Sequence, residues 1–202
     1  MERNKDVVSV GRFEGLADAI FAFAMTLLAI SIDLPGETYK GSIGELHGYI
    51  FSQGKEVINY AVSFILLANF WIIHHQTYHL LYKIDRKHLW INFFLLLFIV
   101  LFPFSSSLIG DFPDDWLTLT LFGLNMFFVG MLFFLSWYYA VCHGFIKKGV
   151  DKREIREAGR KFLVTPVVAV ISIVGAFFVP GLSLYIYLFI PFVLFFPKIS
   201  KT

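Results

Sequence analysis

Apolar residues in this chain neither alternate nor come in short runs; they form six long stretches divided by brief polar segments, Phe13–Leu34, Val57–Tyr82, Leu89–Ile109, Trp116–Ile146, Phe162–Val179 and Leu182–Phe196. A helix of about 20 apolar residues crosses the hydrocarbon core, fewer where flanking groups snorkel. The pattern therefore predicts an all-α membrane protein with six transmembrane helices, in one domain over residues 1–202. The fourth stretch is long enough to emerge from the bilayer. The last two are short and separated only by Pro180-Gly181, which reads as a tight turn. The first three spans share no motif with the last three, so no repeat architecture is expected.

Composition strengthens this reading. Hydrophobic residues make up 57% and charged residues 16% of the chain, against about 45–50% and about 25% in soluble domains. Mean hydropathy is +0.71, more apolar surface than a soluble core of this size can hide. A single cysteine excludes a disulfide framework and a cysteine-based zinc or iron–sulfur site. The net charge of +2 says little by itself, and nothing points to nucleic acid. Its distribution says more. All of the 17 basic residues except Lys40 and Lys55 fall on one side of the six spans. That side holds the N-terminal segment, the second-to-third loop with Lys83, Arg86 and Lys87, the Lys147–Lys161 connection, and the tail. The positive-inside rule then places both termini in the cytoplasm. The first span contains Asp18 and is not followed by a small-residue cleavage site, so it is expected to remain in the mature protein. The connection over 35–54, with Gly36, Gly41, Gly44 and Gly48, is expected to lie outside and to hold a short amphipathic turn.

Ionisable groups inside spans need partners. Asp18 is the sharpest case. Arg12 is 240° away around the helix after one full turn, and Glu14 carries the same charge. A partner must come from another helix or another subunit. Asn69, His74, His75 and His79 on the second span, Asn92 at the start of the third, and Asn125, Trp71 and Trp137 are the candidates. A hydrogen-bond network that locks helices together is the expectation. His75 and His79 are spaced i, i+4 and share a face, but two imidazoles fall short of a metal site. His47, His88 and His143 lie near membrane edges, so no metal or cofactor is expected. The first helix offers one face of Asp18, Ala22, Met25 and Ala29, suited to close helix contact. Leu16, Phe23, Thr26/Leu27 and Ile30 form a second, apolar stripe.

Three motifs carry a family resemblance. Arg12-Phe-Glu-Gly-Leu-Ala-Asp18 followed by Thr26-Leu27-Leu28 resembles the first-helix signature Arg-x-x-x-Phe-Ser-Asp…Thr-Leu-Leu of the transmembrane-protein-175 family, the lysosomal potassium channel and its prokaryotic homologues. Phe70-Trp71-Ile-Ile-His74-His75 is similar to its second-helix Trp-x-x-His-His stretch. Trp90-Ile-Asn92 leading to Phe102-Pro103-Phe104-Ser105 is similar to its third-helix pattern. The resemblance implies a passive potassium-selective channel in a prokaryotic cell membrane, a homotetramer with K⁺ as permeant ion and no cofactor. It implies a pore lined by the first helix, pinched at Phe23, with Thr26, Leu27 and Ile30 beyond it. It also implies that Arg12, Asp18, His74 or His75, and Asn92 hold the pore helices in place. Two departures stand out: Leu16-Ala17 replaces Phe-Ser, and Phe23 sits where an aliphatic side chain is usual. The alternative is a proton-coupled carrier with Asp18 and His74/His75 as relay. An enzyme is not expected, since no nucleophile–base pair or complete metal set is visible.

Overall fold

The computed structural model describes residues 9–32, 41–180 and 185–191. Arg3, Lys5, Asp33, Glu37, Lys40, the Gly181 side of the expected turn, most of Leu182–Phe196, and Lys198 and Lys201 lie outside the described residues. Seven α-helices are present among them: α1 (Val10–Leu28), α2 (Ile43–Ser52), α3 (Gly54–His79), α4 (Arg86–Asp111), α5 (Trp116–Cys142), α6 (Lys152–Phe162) and α7 (Val164–Ala176). Single 3₁₀ turns follow at Ala29–Ser31 and Tyr185–Leu188.

Four stretches are long and apolar enough to cross a membrane: Ile43–His79, Arg86–Asp111, Trp116–Cys142 and Lys152–Ala176. The expected first span is less apolar than these four for a physical reason. Its 19 residues include Arg12, Glu14 and Asp18, so its hydrophobicity is diluted by three charges. The sixth span lies largely outside the described residues.

Local chemistry sets the ends. Ser42 and Glu45 cap α2 reciprocally: the Glu45 N–H donates to Ser42 Oγ at 3.4 Å and the Ser42 N–H to Glu45 Oε2 at 2.6 Å. The part of the external connection read as a short turn is thus a helix. It continues into α3 as a 37-residue stretch, about 55 Å of helix against about 30 Å of hydrocarbon. Asp115 caps α5 through the Thr118 N–H at 2.9 Å. α5 ends at Cys142, short of the expected Ile146, because Gly144 turns the chain with φ +64°. The basic connection is also more ordered than a loop. Asp151 caps α6, Trp137 of α5 donates its indole N–H to the Ile155 carbonyl at 3.1 Å, and Phe162 is buried against Trp137 and Phe133.

Packing places α1 against α3 and α4, with α5 against α4 on one side and α7 on the other. Glycines allow the α5–α7 approach. A Cβ at Gly130 would stand 2.4 Å from Pro166 Cδ and 2.9 Å from the Pro166 backbone nitrogen; one at Gly123 would meet Ile173. The two basic loops meet at one end of the bundle. The Tyr82 N–H donates to the Phe145 carbonyl at 3.0 Å and the Lys147 N–H to the Leu80 carbonyl at 2.9 Å, a one-pair antiparallel bridge. Beside it Asp85 caps α4 through the His88 N–H and accepts the Tyr139 hydroxyl, both at 2.8 Å. Outward side chains such as Phe94, Leu97, Leu101 and Phe104 on α4 are exposed and apolar, as a lipid-facing surface requires.

Two expectations follow. Gly130→Ala should destabilise the protein by about 1–3 kcal/mol, the usual range for overpacking, read as a lower unfolding midpoint in detergent. At Asp85, partial burial works against the charged form, but the His88 N–H and Tyr139 hydroxyl outweigh it and hold the carboxyl below its ordinary range. A depressed carboxylate stabilises the fold above its unfolded-state pKa and loses that contribution as pH falls through its folded value. The stability gap between the natural protein and Asp85→Asn should therefore be present at neutral pH and shrink as pH falls below about 4, read by unfolding midpoints across pH.

Candidate pore helix and its polar contacts

α1 has a buried face and an open one. Phe13, Ala17, Phe21, Ala24 and Leu28 recur at helical spacing and are buried against α3 and α4. Phe13 stacks on Tyr78 and meets Phe93 edge-on, at centroid separations of 5.6 and 5.4 Å. The face expected to make close contact, Asp18, Ala22, Met25 and Ala29, is not the packed one: Ala22 and Ala29 are exposed, and Asp18 and Met25 are half-buried at its border. The reason is bulk. Two Phe rings and a Leu bury more apolar area than four small or polar side chains.

The open face runs through Arg12, Gly15, Leu16, Ala19, Phe23, Thr26 and Ile30. Phe23 is 59% exposed and Ile30 75%, while Leu27 is half-buried beside the stripe. The Thr26 hydroxyl donates to the Phe23 carbonyl at 2.7 Å, a local bond that leaves its oxygen lone pairs at the surface.

The acids of α1 face a ladder on α3. Trp71 donates its indole N–H to Asp18 Oδ1 at 2.8 Å. One turn earlier, Glu14 Oε1 lies 3.0 Å from His75 Nδ1. His75 Nε2 in turn lies 3.0 Å from His79 Nε2, and the Trp71 and His75 rings stack at 5.6 Å. Asp18 therefore bonds to Trp71 rather than to either histidine, and Glu14, the like charge one turn away, comes beside His75 without a hydrogen bond to it. The signal was present as two matching i, i+4 ladders, Glu14/Asp18 on one helix and Trp71/His75/His79 on the other.

The remaining expected residues sit elsewhere. His74, one position from His75 and so turned about 100° around the helix, is 1% exposed. It stacks on Tyr78 at 4.4 Å and touches the rings of Phe21 and Phe133, and neither ring nitrogen has a hydrogen-bond partner among the described residues. Asn92 joins α4 to α5: its amide donates to the His88 carbonyl at 2.8 Å and to Ser136 Oγ at 3.0 Å, and His88 Nε2 contacts the same hydroxyl. Arg12 is exposed and has no partner among the described residues. Within one chain, then, Arg12, Asp18, His74, His75 and Asn92 do not form a single network.

These features define a multi-pass α-helical membrane protein whose first helix is anchored by its carboxylates and leaves one face open. Residues 12–103 match the model of the family described as endosomal/lysosomal potassium channel TMEM175. Relatives include a potassium channel of Streptomyces collinus, 28% identical over 102 residues, which is 50% of this chain and 48% of that one. A potassium channel of Chamaesiphon minutus is 22% identical over 77% of this chain and 78% of its own. The chain thus matches about half the length of the Streptomyces relative and a larger share of the second. The crystal structure of a lysosomal potassium-selective channel TMEM175 homolog from Chamaesiphon minutus superposes with a TM-score of 0.78, at 20% identity, covering 92% of this chain and 95% of that one. A variant of the potassium channel MtTMEM175 gives 0.62 at 18% identity, over 96% and 92% of the two chains. Over its first three spans the chain is thus similar to the TMEM175 family, and its fold is that of the solved TMEM175 homologues.

If the Trp71 bond anchors α1, Trp71→Phe leaves a partly buried carboxylate without its donor, at a cost of about 1–3 kcal/mol. The unfolding midpoint should fall accordingly, and an unchanged midpoint would show that Asp18 is held by something else.

Proposed function

We propose that four copies of this chain form a potassium-selective channel in a prokaryotic cell membrane. Residues 1–202 act as a single six-span unit with both termini in the cytoplasm. The observation that carries this reading is the open face of α1. The helix that matches the family holds its carboxylates against α3, yet leaves Phe23 and Ile30 largely uncovered by its own chain. A face of this kind suits the axis of an assembly. Four Phe23 rings there make an apolar constriction that resists wetting, and Thr26 supplies oxygens just beyond it, with Leu27 and Ile30 continuing the wall. Arg12, exposed and without a partner among the described residues, is assigned to a neighbouring subunit, while Asp18, His75 and the buried His74 and Asn92 hold the helices behind the pore. Phe23 in place of an aliphatic residue implies a narrow pore and a modest conductance.

The carrier reading is less well supported. A relay needs Asp18 within reach of a titrating imidazole, and instead it accepts from an indole N–H, which does not exchange protons usefully near neutral pH.

The test is a planar bilayer with purified protein, K⁺ on one side and Na⁺ on the other. Current should reverse toward the K⁺ equilibrium potential, and Phe23→Ala should raise the conductance. Proton-driven uptake without current would establish the carrier. Conductance indifferent to substitution at Phe23, Leu27 and Ile30 alike would remove α1 from the pore.

A further inference from the structure

The sequence offers two imidazoles at i, i+4 spacing and no third ligand; the fold brings one. Glu14 of α1 comes to His75 and His79 of α3, and one donor atom from each lies within 4.8 Å of the others. His75 Nε2 and His79 Nε2 are 3.0 Å apart, close to the ligand–ligand separation of about 3.3 Å that tetrahedral zinc–nitrogen bonds produce. On the far side of the His75 ring, Nδ1 and Glu14 Oε1 are 3.0 Å apart but are not aligned as a hydrogen bond. Both atoms are buried, and neither has a hydrogen-bond partner among the described residues. The carboxylate is thus placed either to ligate directly or to fix the tautomer of a ligating imidazole, as carboxylates beside metal-bound histidines do. His79 is exposed, which gives an ion access and leaves room for water to complete its coordination. Trp71, stacked on His75, limits how far that ring can turn. Lys147 is engaged with the backbone: its ammonium donates to the His79 carbonyl at 2.6 Å, fixing the end of α3.

We propose that Glu14, His75 and His79 form a binding site for a divalent transition-metal ion of the zinc type, tying the first helix to the end of α3. Two imidazoles and one carboxylate suit Zn²⁺, Co²⁺ or Ni²⁺ better than Ca²⁺ or Mg²⁺, which prefer all-oxygen sets. Binding cross-links the two helices where α1 carries its acids, so the ion stabilises the folded chain. On the channel reading given above, from which this consequence alone follows, it also holds α1 still and reduces current.

The test uses the purified full-length protein, titrated with Zn²⁺ by calorimetry, and with Co²⁺ followed by visible absorption. One ion per chain is expected, with a rise in unfolding midpoint. Affinity should fall at least about tenfold in Glu14→Gln and in His79→Ala, and should be unchanged in His143→Ala, an exposed histidine outside the cluster. His79 is exposed, so its removal should leave the fold intact in the absence of metal. Absence of saturable binding, or binding that survives Glu14→Gln and His79→Ala together, overturns the site. Because binding is read without current, loss of the channel reading would leave this result standing. Conversely, a channel whose current ignores Zn²⁺ although Zn²⁺ binds would refute the effect on α1 alone.

Discussion

The structure depends on how an acidic helix is kept among apolar ones. α1 brings Glu14 and Asp18 into a bundle whose other long helices carry their charges only at their ends, and each carboxylate costs on the order of 2.5–3.5 kcal/mol in a span without a partner. α3 answers with Trp71 and His75 at the same spacing, so two helices are registered by matching ladders. Once that register is set, Phe13, Ala17, Phe21, Ala24 and Leu28 have no choice but to face α3 and α4. The open stripe is what remains.

The other half of the molecule is held by different means. α5 is the central post, with Gly123 and Gly130 admitting α7 and with the Asn92–Ser136–His88 cluster pinning α4. At the basic end, the bridge between the two loops fastens α3, α4 and α5 through backbone bonds, and Asp85 ties the start of α4 to Tyr139. α1 shares in none of these fastenings among the described residues. It is held instead by its buried apolar face against α3 and α4 and by the Asp18–Trp71 bond.

Much of this was legible in the sequence, and the gaps have physical causes. The cores of α3, α4 and α5 follow from apolar length alone, which is insensitive to neighbours. Their ends do not: α5 stops at Cys142 because Gly144 adopts a left-handed turn, and α6 forms because Asp151 caps it and Phe162 finds a pocket. Asp18 as a residue in need of a partner was readable from its position. Trp71 as that partner was one of several donors, since only the rotation of α3 against α1 decides between an indole and the adjacent imidazoles. The same rotation sends His74 into a cage of aromatic rings and His75 to Glu14, a difference that adjacency in sequence conceals.

The bond between Asp18 and Trp71 also bears on how the chain is made. The donor lies 53 residues after the acceptor, so the Asp18 carboxylate leaves the ribosome ahead of the indole that satisfies it. For that interval the helix is a poor candidate for lipid. The bond thus joins two helices separated in the chain by the external connection and α2, and α1 reaches its final polar environment only when α3 is in place.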